Sequence, residues 1–542
     1  MTSPPARLPT EQTAAASVVS CRGLAGPIQL GPDANRSHRS CRACGPSPWR
    51  CLGPAIVLLA WLLAGRAVLK ADEFRVRLPE GGEETIEARL VGSGQGALVL
   101  ELADGQYRLI PEGAVTDRKI ADGPEPLSGD TIAARLTERF GSDVTYTLVK
   151  EPFVYVLVVA SPLGRTADTR AKNFLQRVAT FFKNVDQAFV AFLKETKLKV
   201  VSPTHPLPVL IFESQDDFDK YARSITGGNG LSVGRVLGFY SELTNMLAIR
   251  LSECRTFETP LHEAIHQLSF NHQMLPRLGS IPRWFAEGLA TGFEANQGRV
   301  NIGPALVSAR YARQVRDASN VSFSAVLGDD ASFQGDDLAS EAYGRAWGLH
   351  WLLVTRHKPQ YAAYVKLLGA KLPLQRPTED ERNADFQQAF GKSPEEINRD
   401  FRTSIESAIR KQKVQLDPEK PVGVSLTHEN MATVEMGAVN KVSEAGSRLE
   451  VKGKLTNISP LRSLAFYVTV ETETGTYAEW MIPNLEVNKS VPLAPQVVSK
   501  VMEGAPGGPS RTFRVHVKSV PAESEEAAAW KQGRVPAPRH DR

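Results

Sequence analysis

Apolar positions along this chain change their period several times, and the changes mark its domains. From Asp72 to about Arg118, alternating stretches such as Thr85–Val91 and Ala97–Leu102 are joined by glycine turns. Period-two alternation predicts half-buried strands, here a small β-barrel-like module over 72–121. A linker is expected from Asp122 to Asp130. Beyond it, strand-like runs at Phe153–Ala160 and Pro208–Phe212 flank a helical period near Thr169–Lys194, the opening of an α+β domain over 128–412. Two further runs, Gly238–Ser241 and Met246–Leu251, are separated by Glu242–Asn245 and read as a hairpin. After Glu294 the pattern is mostly helical to about Gln412. Alternation returns at Ser447–Leu455, Leu464–Glu473 and Arg511–Val517, the spacing of a β-sandwich over 421–519. The charged, alanine-rich tail 520–542 is expected to be disordered. The fold class is therefore α+β and multidomain.

The stretch before Asp72 behaves differently. Residues 1–53 are rich in Pro, Gly, Ser and Arg with no sustained apolar period, and are expected to be a disordered extension. Pro54–Gly65 is an apolar run interrupted by Arg66, shorter than the ~20 residues a spanning helix needs. It has the character of a signal-peptide core, with Ala67 or Ala71 before a cleavage site, or of a membrane anchor over 54–71. Either way the remainder of the chain is expected to be extracytoplasmic: periplasmic, secreted or membrane-anchored.

One helical segment carries chemistry. Leu261, Ala264, Ile265 and Leu268 form an apolar stripe, with Thr259 expected as N-cap and Pro260 at the first helical position. On that helix lies His262-Glu263-Ala264-Ile265-His266. Histidines four apart project from one face and can share a Zn²⁺, while Glu263 points at a water acidified by the metal. A third ligand is needed, and two residues compete. His272 lies six residues after His266, the spacing of H-E-x-x-H-x-x-G-x-x-H, but Ser269 stands where that pattern has its helix-breaking glycine. If the helix continues, His272 is turned by about 240° and faces away. Glu287, in Pro282-Arg283-Trp284-Phe285-Ala286-Glu287-Gly288-Leu289-Ala290, is a glutamate in an apolar helical stripe. Such a residue is costly to bury unless it binds a metal or pairs, for instance with Arg283.

HEAIH followed by WFAEGLATGFE resembles the gluzincin clan, whose familiar members include aminopeptidase N and thermolysin. It is more closely similar to the peptidase-MA-like proteins, bacterial exported proteins with the second motif W-x-x-E-G-x-A. The resemblance is specific from about Leu237 to Glu294 and diffuse over roughly 130–410. It implies a zincin-like catalytic domain, with a mixed sheet and active-site helices, and zinc held by His262, His266 and Glu287. Glu263 would be the general base. Gluzincins commonly add a Tyr or His downstream as oxyanion donor, which here points to Tyr343 or His350, seven apart on one helix face. The G-x-M-E-N segment of the aminopeptidases is absent, so aminopeptidase action is not implied.

Composition narrows the partners. A net charge of +4 over 542 residues, partly from the N-terminal stretch, makes no case for nucleic acid. Four of five cysteines precede the apolar run, leaving Cys254 alone beyond it, so no internal disulfide is expected there. Cys41 and Cys44 have zinc-knuckle spacing without a second pair. The glycine-rich Thr226–Gly230 lacks the G-K-[ST] ending of a phosphate loop. In zincins an edge strand where the hairpin lies pairs with extended substrate, which makes a peptide or protein the expected ligand. The leading expectation is an exported zinc metallopeptidase. The alternatives are a surface-binding protein with a structural zinc, and a zinc hydrolase of non-peptide amides.

Overall fold

The computed structural model describes residues 72–120, 123–226, 237–294, 303–317, 322–328, 330–333, 336–416, 424–429, 431–443, 446–472, 475–500 and 514–534. The expected N-terminal extension and export segment, together with residues 227–230, lie outside these. Among the described residues no helix is long and apolar enough to cross a membrane.

The N-terminal module is a five-stranded antiparallel sheet ordered β4-β3-β2-β1-β5. Its strands are β1 (Asp72–Arg77), β2 (Glu83–Gly94), β3 (Ala97–Glu101), β4 (Tyr107–Pro111) and β5 (Val115–Lys119). Alternation produces its core directly: Phe74 and Val76 of β1 face inward with Ile86, Ala88, Leu100 and Ile110, while Arg75 and Arg77 face out. The linker is shorter than the sequence implies. Helix α1 (Gly129–Phe140) begins inside it, because the Ser128 side chain accepts from the Thr131 N–H and caps the first turn.

A second five-stranded sheet, ordered β6-β7-β8-β10-β9, organises the central domain. It comprises β6 (Thr145–Lys150), β7 (Phe153–Val158), β8 (Leu207–Phe212), β9 (Gly238–Ser241) and β10 (Met246–Arg250). β7, β8 and β10 run parallel; β6 and β9 are antiparallel edges. The central strands are buried at every position, and apolar at all but Arg250, because both faces are covered. Phe153, Tyr155, Leu157, Val209, Ile211, Leu247 and Ile249 pack with α2 (Arg165–Glu195) and α4 (Glu258–Asn271). Val154, Val156, Leu210, Phe212 and Ala248 pack with α1 and α3 (Gln215–Thr226) on the other face.

Helices α5 (Arg283–Phe293), α6 (Ala309–Asp317), α7 (Ser324–Leu327), α8 (Asp336–Arg356), α9 (Lys358–Gly369), α10 (Glu379–Phe390) and α11 (Pro394–Gln412) complete this domain. α5 and α8 approach closely at Gly288, where an added Cβ would lie 2.5 Å from the Ala346 carbonyl oxygen. One detail of α4 departs from expectation. It starts at Glu258, with Phe257 at the N-cap in the left-handed region, φ 60°. Thr259 is thus inside the helix and its hydroxyl donates to Glu253.

The C-terminal domain has two antiparallel sheets, β11-β12-β13-β16 and β15-β14-β17, whose apolar residues, including Val434, Val451, Phe466 and Val468, share one core. The strands are β11 (Val424–Glu429), β12 (Ala432–Ser443), β13 (Gly446–Asn457), β14 (Leu464–Thr472), β15 (Gly475–Leu485), β16 (Ser490–Lys500) and β17 (Arg514–Pro521). Buried Arg462 donates to both carboxylate oxygens of Glu213, beyond β8, at 2.9 and 2.7 Å, locking this domain to the central one. Of the tail 520–542 expected to be disordered, residues 520–534 are ordered and the rest lies outside the described residues. After β17, α12 (Glu525–Lys531) buries Trp530 against Tyr467, and one aromatic outweighs the polar composition around it.

Candidate metal centre

α4 presents His262 and His266 on one face, and the Ala264, Ile265 and Leu268 stripe holds that helix against the sheet. α5 delivers the third side chain. Its apolar residues Trp284, Phe285 and Leu289 are buried, and Gly288 lets it lie against α8. Glu287 therefore turns toward the histidines, which are its partners in place of Arg283. His262 Nε2 is 3.1 Å from Glu287 Oε2 and 3.1 Å from His266 Nε2, and His266 Nε2 is 3.6 Å from the same carboxylate oxygen. Donors about 2.1 Å from a tetrahedral ion stand roughly 3.4 Å apart, so the three could hold one metal ion. Among the described residues this is the one group of three or more such side chains with that convergence.

Two residues that the sequence did not single out for this site complete the surroundings. His262 Nδ1 lies 2.5 Å from Glu294 Oε1, and the Tyr311 hydroxyl donates to Glu294 Oε2 at 2.9 Å. A carboxylate behind a histidine fixes its tautomer and ring orientation. The signal for Glu294 was available: it stands seven residues after Glu287, two turns along the same helix face. Tyr311, on α6, had none.

Burial and charge are in opposition here. Burial pulls the His262 pKa down, but hydrogen bonds to Glu287 and Glu294 overcome it, and the group sits well above the usual histidine value. Burial likewise pushes Glu287 up, and the two histidines more than reverse it, holding the carboxyl well below its ordinary range.

Tyr343 of α8 reaches the site. Its ring centroid is 6.2 Å from that of His262, and the charge of Glu287, with burial second, raises its pKa well above the usual phenol value. His350 does not reach it. It is fully buried, packed on Phe285 and Tyr361, with Nε2 3.3 Å from the Tyr361 hydroxyl and its pKa lowered by burial to about 3. Seven residues share a face but are about 10.5 Å apart along a helix, and only one of the two can stand beside a single metal. His272 caps the far end of α4, bound to Asp186 and the Val201 carbonyl.

Glu263 lines a cavity of about 430 Å³ beside the histidines, walled by Leu237, Gly238, Thr259, Arg310 and Tyr343. Its carboxylate accepts the Tyr240 N–H at 2.9 Å. The Arg250 N–H donates to the Leu237 carbonyl, so Gly238 and Tyr240 turn their backbone groups to the free edge of β9. Glu263 thus already occupies part of the edge expected to pair with a peptide. A larger cavity of about 820 Å³, between α1 and β6, has no histidine in its lining.

Residues 257–375 are similar to a family described as a protein of unknown function (DUF1570). The matched segment runs from the N-cap of α4 to just beyond α9 and contains the three convergent side chains, Glu263, Glu294, Tyr311 and Tyr343. No curated protein matches the chain.

Proposed function

We propose that the chain is an exported zinc-dependent peptidase whose central domain is zincin-like. The observation that carries this reading is the convergence of His262, His266 and Glu287 at tetrahedral spacing, with His262 and Glu263 both lining one cavity. A structural zinc site is closed by protein on all four sides; a cavity lined by both His262 and the Glu263 carboxylate supports catalysis over the surface-binding alternative.

Zn²⁺ held by these ligands would polarise a carbonyl and acidify a water. The protein's own groups supply the rest. Glu263, oriented by the Tyr240 N–H, takes the proton from the attacking water and returns it to the leaving amine. Tyr343 keeps its proton through neutral pH and is the donor for the developing oxyanion. Glu294, backed by Tyr311, accepts from His262 Nδ1 and so fixes the ring with Nε2 as the nitrogen that would face the ion. A peptide lying along the cavity has the free edge of β9 at Gly238 for backbone pairing, which supports a peptide over another amide.

The test is Glu263→Ala in the full chain, assayed for metal content and for cleavage of a diverse peptide library. It is expected to retain one zinc per chain and to lose hydrolysis by more than about a hundredfold. A zinc-loaded wild type that cleaves nothing, or a variant that cleaves as the wild type does, overturns the reading.

A further inference from the structure

The turn after β9 is tied down from three directions. Arg277, in the loop joining α4 to α5, is 7% exposed. Its Nε donates to the Glu242 carbonyl at 2.8 Å, Nη2 to the Leu243 carbonyl at 3.1 Å, and Nη1 to the Gly105 carbonyl of the N-terminal module at 2.7 Å. Its guanidinium stacks on Tyr107, 3.6 Å from the ring centroid. The Tyr107 N–H itself donates to the Leu243 carbonyl at 2.7 Å. The Glu242 side chain accepts the Leu278 N–H at 2.6 Å, fastening the turn to the same loop. Across the turn, the Asn245 side chain accepts from the Tyr240 hydroxyl and donates to Asn271 of α4.

A buried guanidinium satisfied by three main-chain carbonyls and an aromatic face needs the planar fork that arginine alone has. The segments it joins adjoin those that carry the site residues. The turn continues directly from Tyr240, whose N–H orients Glu263, and the Arg277 loop connects the helix bearing both histidines to the helix bearing Glu287. We propose that Arg277 is a positioning residue for the metal centre, and that the N-terminal module, through Gly105 and Tyr107, braces it. The small β module is then a working part of the peptidase and not a spacer. Displacing the turn tilts β9 and loosens the Glu263 carboxylate without touching a metal ligand. The catalytic part of this inference rests on Glu263 as base.

The test uses the full chain with Arg277→Lys, which keeps the charge and loses the fork, and Tyr107→Leu, which keeps apolar bulk and loses the aromatic face. Amide exchange at Tyr240, zinc affinity, kcat and KM on a peptide the wild type cleaves, and the unfolding midpoint are measured together. Exchange at Tyr240 is expected to quicken by about tenfold or more. kcat should fall by about tenfold, with KM and zinc affinity within about threefold of wild type, since misplacement of a base costs turnover before binding. Unchanged Tyr240 exchange with a lowered unfolding midpoint makes the interface merely structural and overturns the proposal, whichever way kcat moves. If the wild type cleaves no peptide, the peptidase reading fails and Tyr240 exchange alone decides the brace. Should Arg277→Lys fail to fold, Tyr107→Leu carries the same outcomes.

Discussion

Helix α4 has a partly buried histidine–carboxylate contact towards each end, and only one has the makings of a site. At the C-terminal end, His272 meets Asp186 Oδ1 at 2.7 Å through Nε2 and the Val201 carbonyl at 2.6 Å through Nδ1, and it lies against Phe189. Both ring nitrogens face fixed oxygen acceptors, and nothing is left for a ligand. Nearer the N-terminal end, His262 commits Nδ1 to Glu294 and leaves Nε2 facing His266 and Glu287 across a gap of ionic size. A histidine–carboxylate pair is common structural joinery; a centre needs the remaining lone pairs of several groups aimed at one point beside a cavity.

Glu287→Ala breaks the comparison most severely. It is expected to leave His262 resembling His272, paired but without a third donor, and to weaken zinc binding by more than about a thousandfold. Asp186→Ala is the matched change at the other end, expected to lower stability by about 1–3 kcal/mol with full zinc content. Metal analysis and denaturant titration of both variants decide it. Zinc retained in Glu287→Ala would mean the convergence is incidental.

His350 extends the comparison to a histidine with no carboxylate at all. Its folded pKa of about 3 lies below the ordinary 6.5 because burial disfavours the cation. The unfolded chain therefore binds the extra proton first as pH falls. Stability from the neutral group is complete above pH 6.5 and is lost progressively toward pH 3, about 3 kcal/mol of it between pH 7 and pH 4. Urea titrations of wild type and His350→Gln at those two pH values should differ by that amount in their pH dependence. Parallel curves would show that the histidine is not held neutral.

The smallest effect sharpens what distinguishes the two ends of α4. Glu294→Gln is expected to weaken zinc by about ten- to a hundredfold, and Tyr311→Phe by only a few fold, since the phenol acts one bond further out. Chelator competition gives both constants. If Tyr311→Phe weakens zinc more than Glu294→Gln does, the relay from α6 through Glu294 to His262 is wrongly assigned.

What could be read from the residues follows period and local chemistry. HEAIH is legible because spacing on a helix fixes the face, and Glu287 because a carboxylate in an apolar stripe needs a reason to be there. The same logic fails for His350, since helical phase gives direction and not height along the axis. It fails for the tail, where composition concealed the anchoring Trp530, and it is silent on Arg277 and on the Tyr240 N–H, which act through backbone groups that every residue carries.

The sequence by itself determined the α+β domain order, the amphipathic helices and the chemical types of the three convergent side chains, because periodicity and residue chemistry are local. Only the tertiary structure decided that Glu294 and Tyr311 stand behind His262, that Tyr343 and not His350 reaches the cavity, and that the first β module touches the turn beside Glu263. Those facts depend on distances between elements far apart in the chain, which are set by close packing at places such as Gly288 and carry no periodic trace.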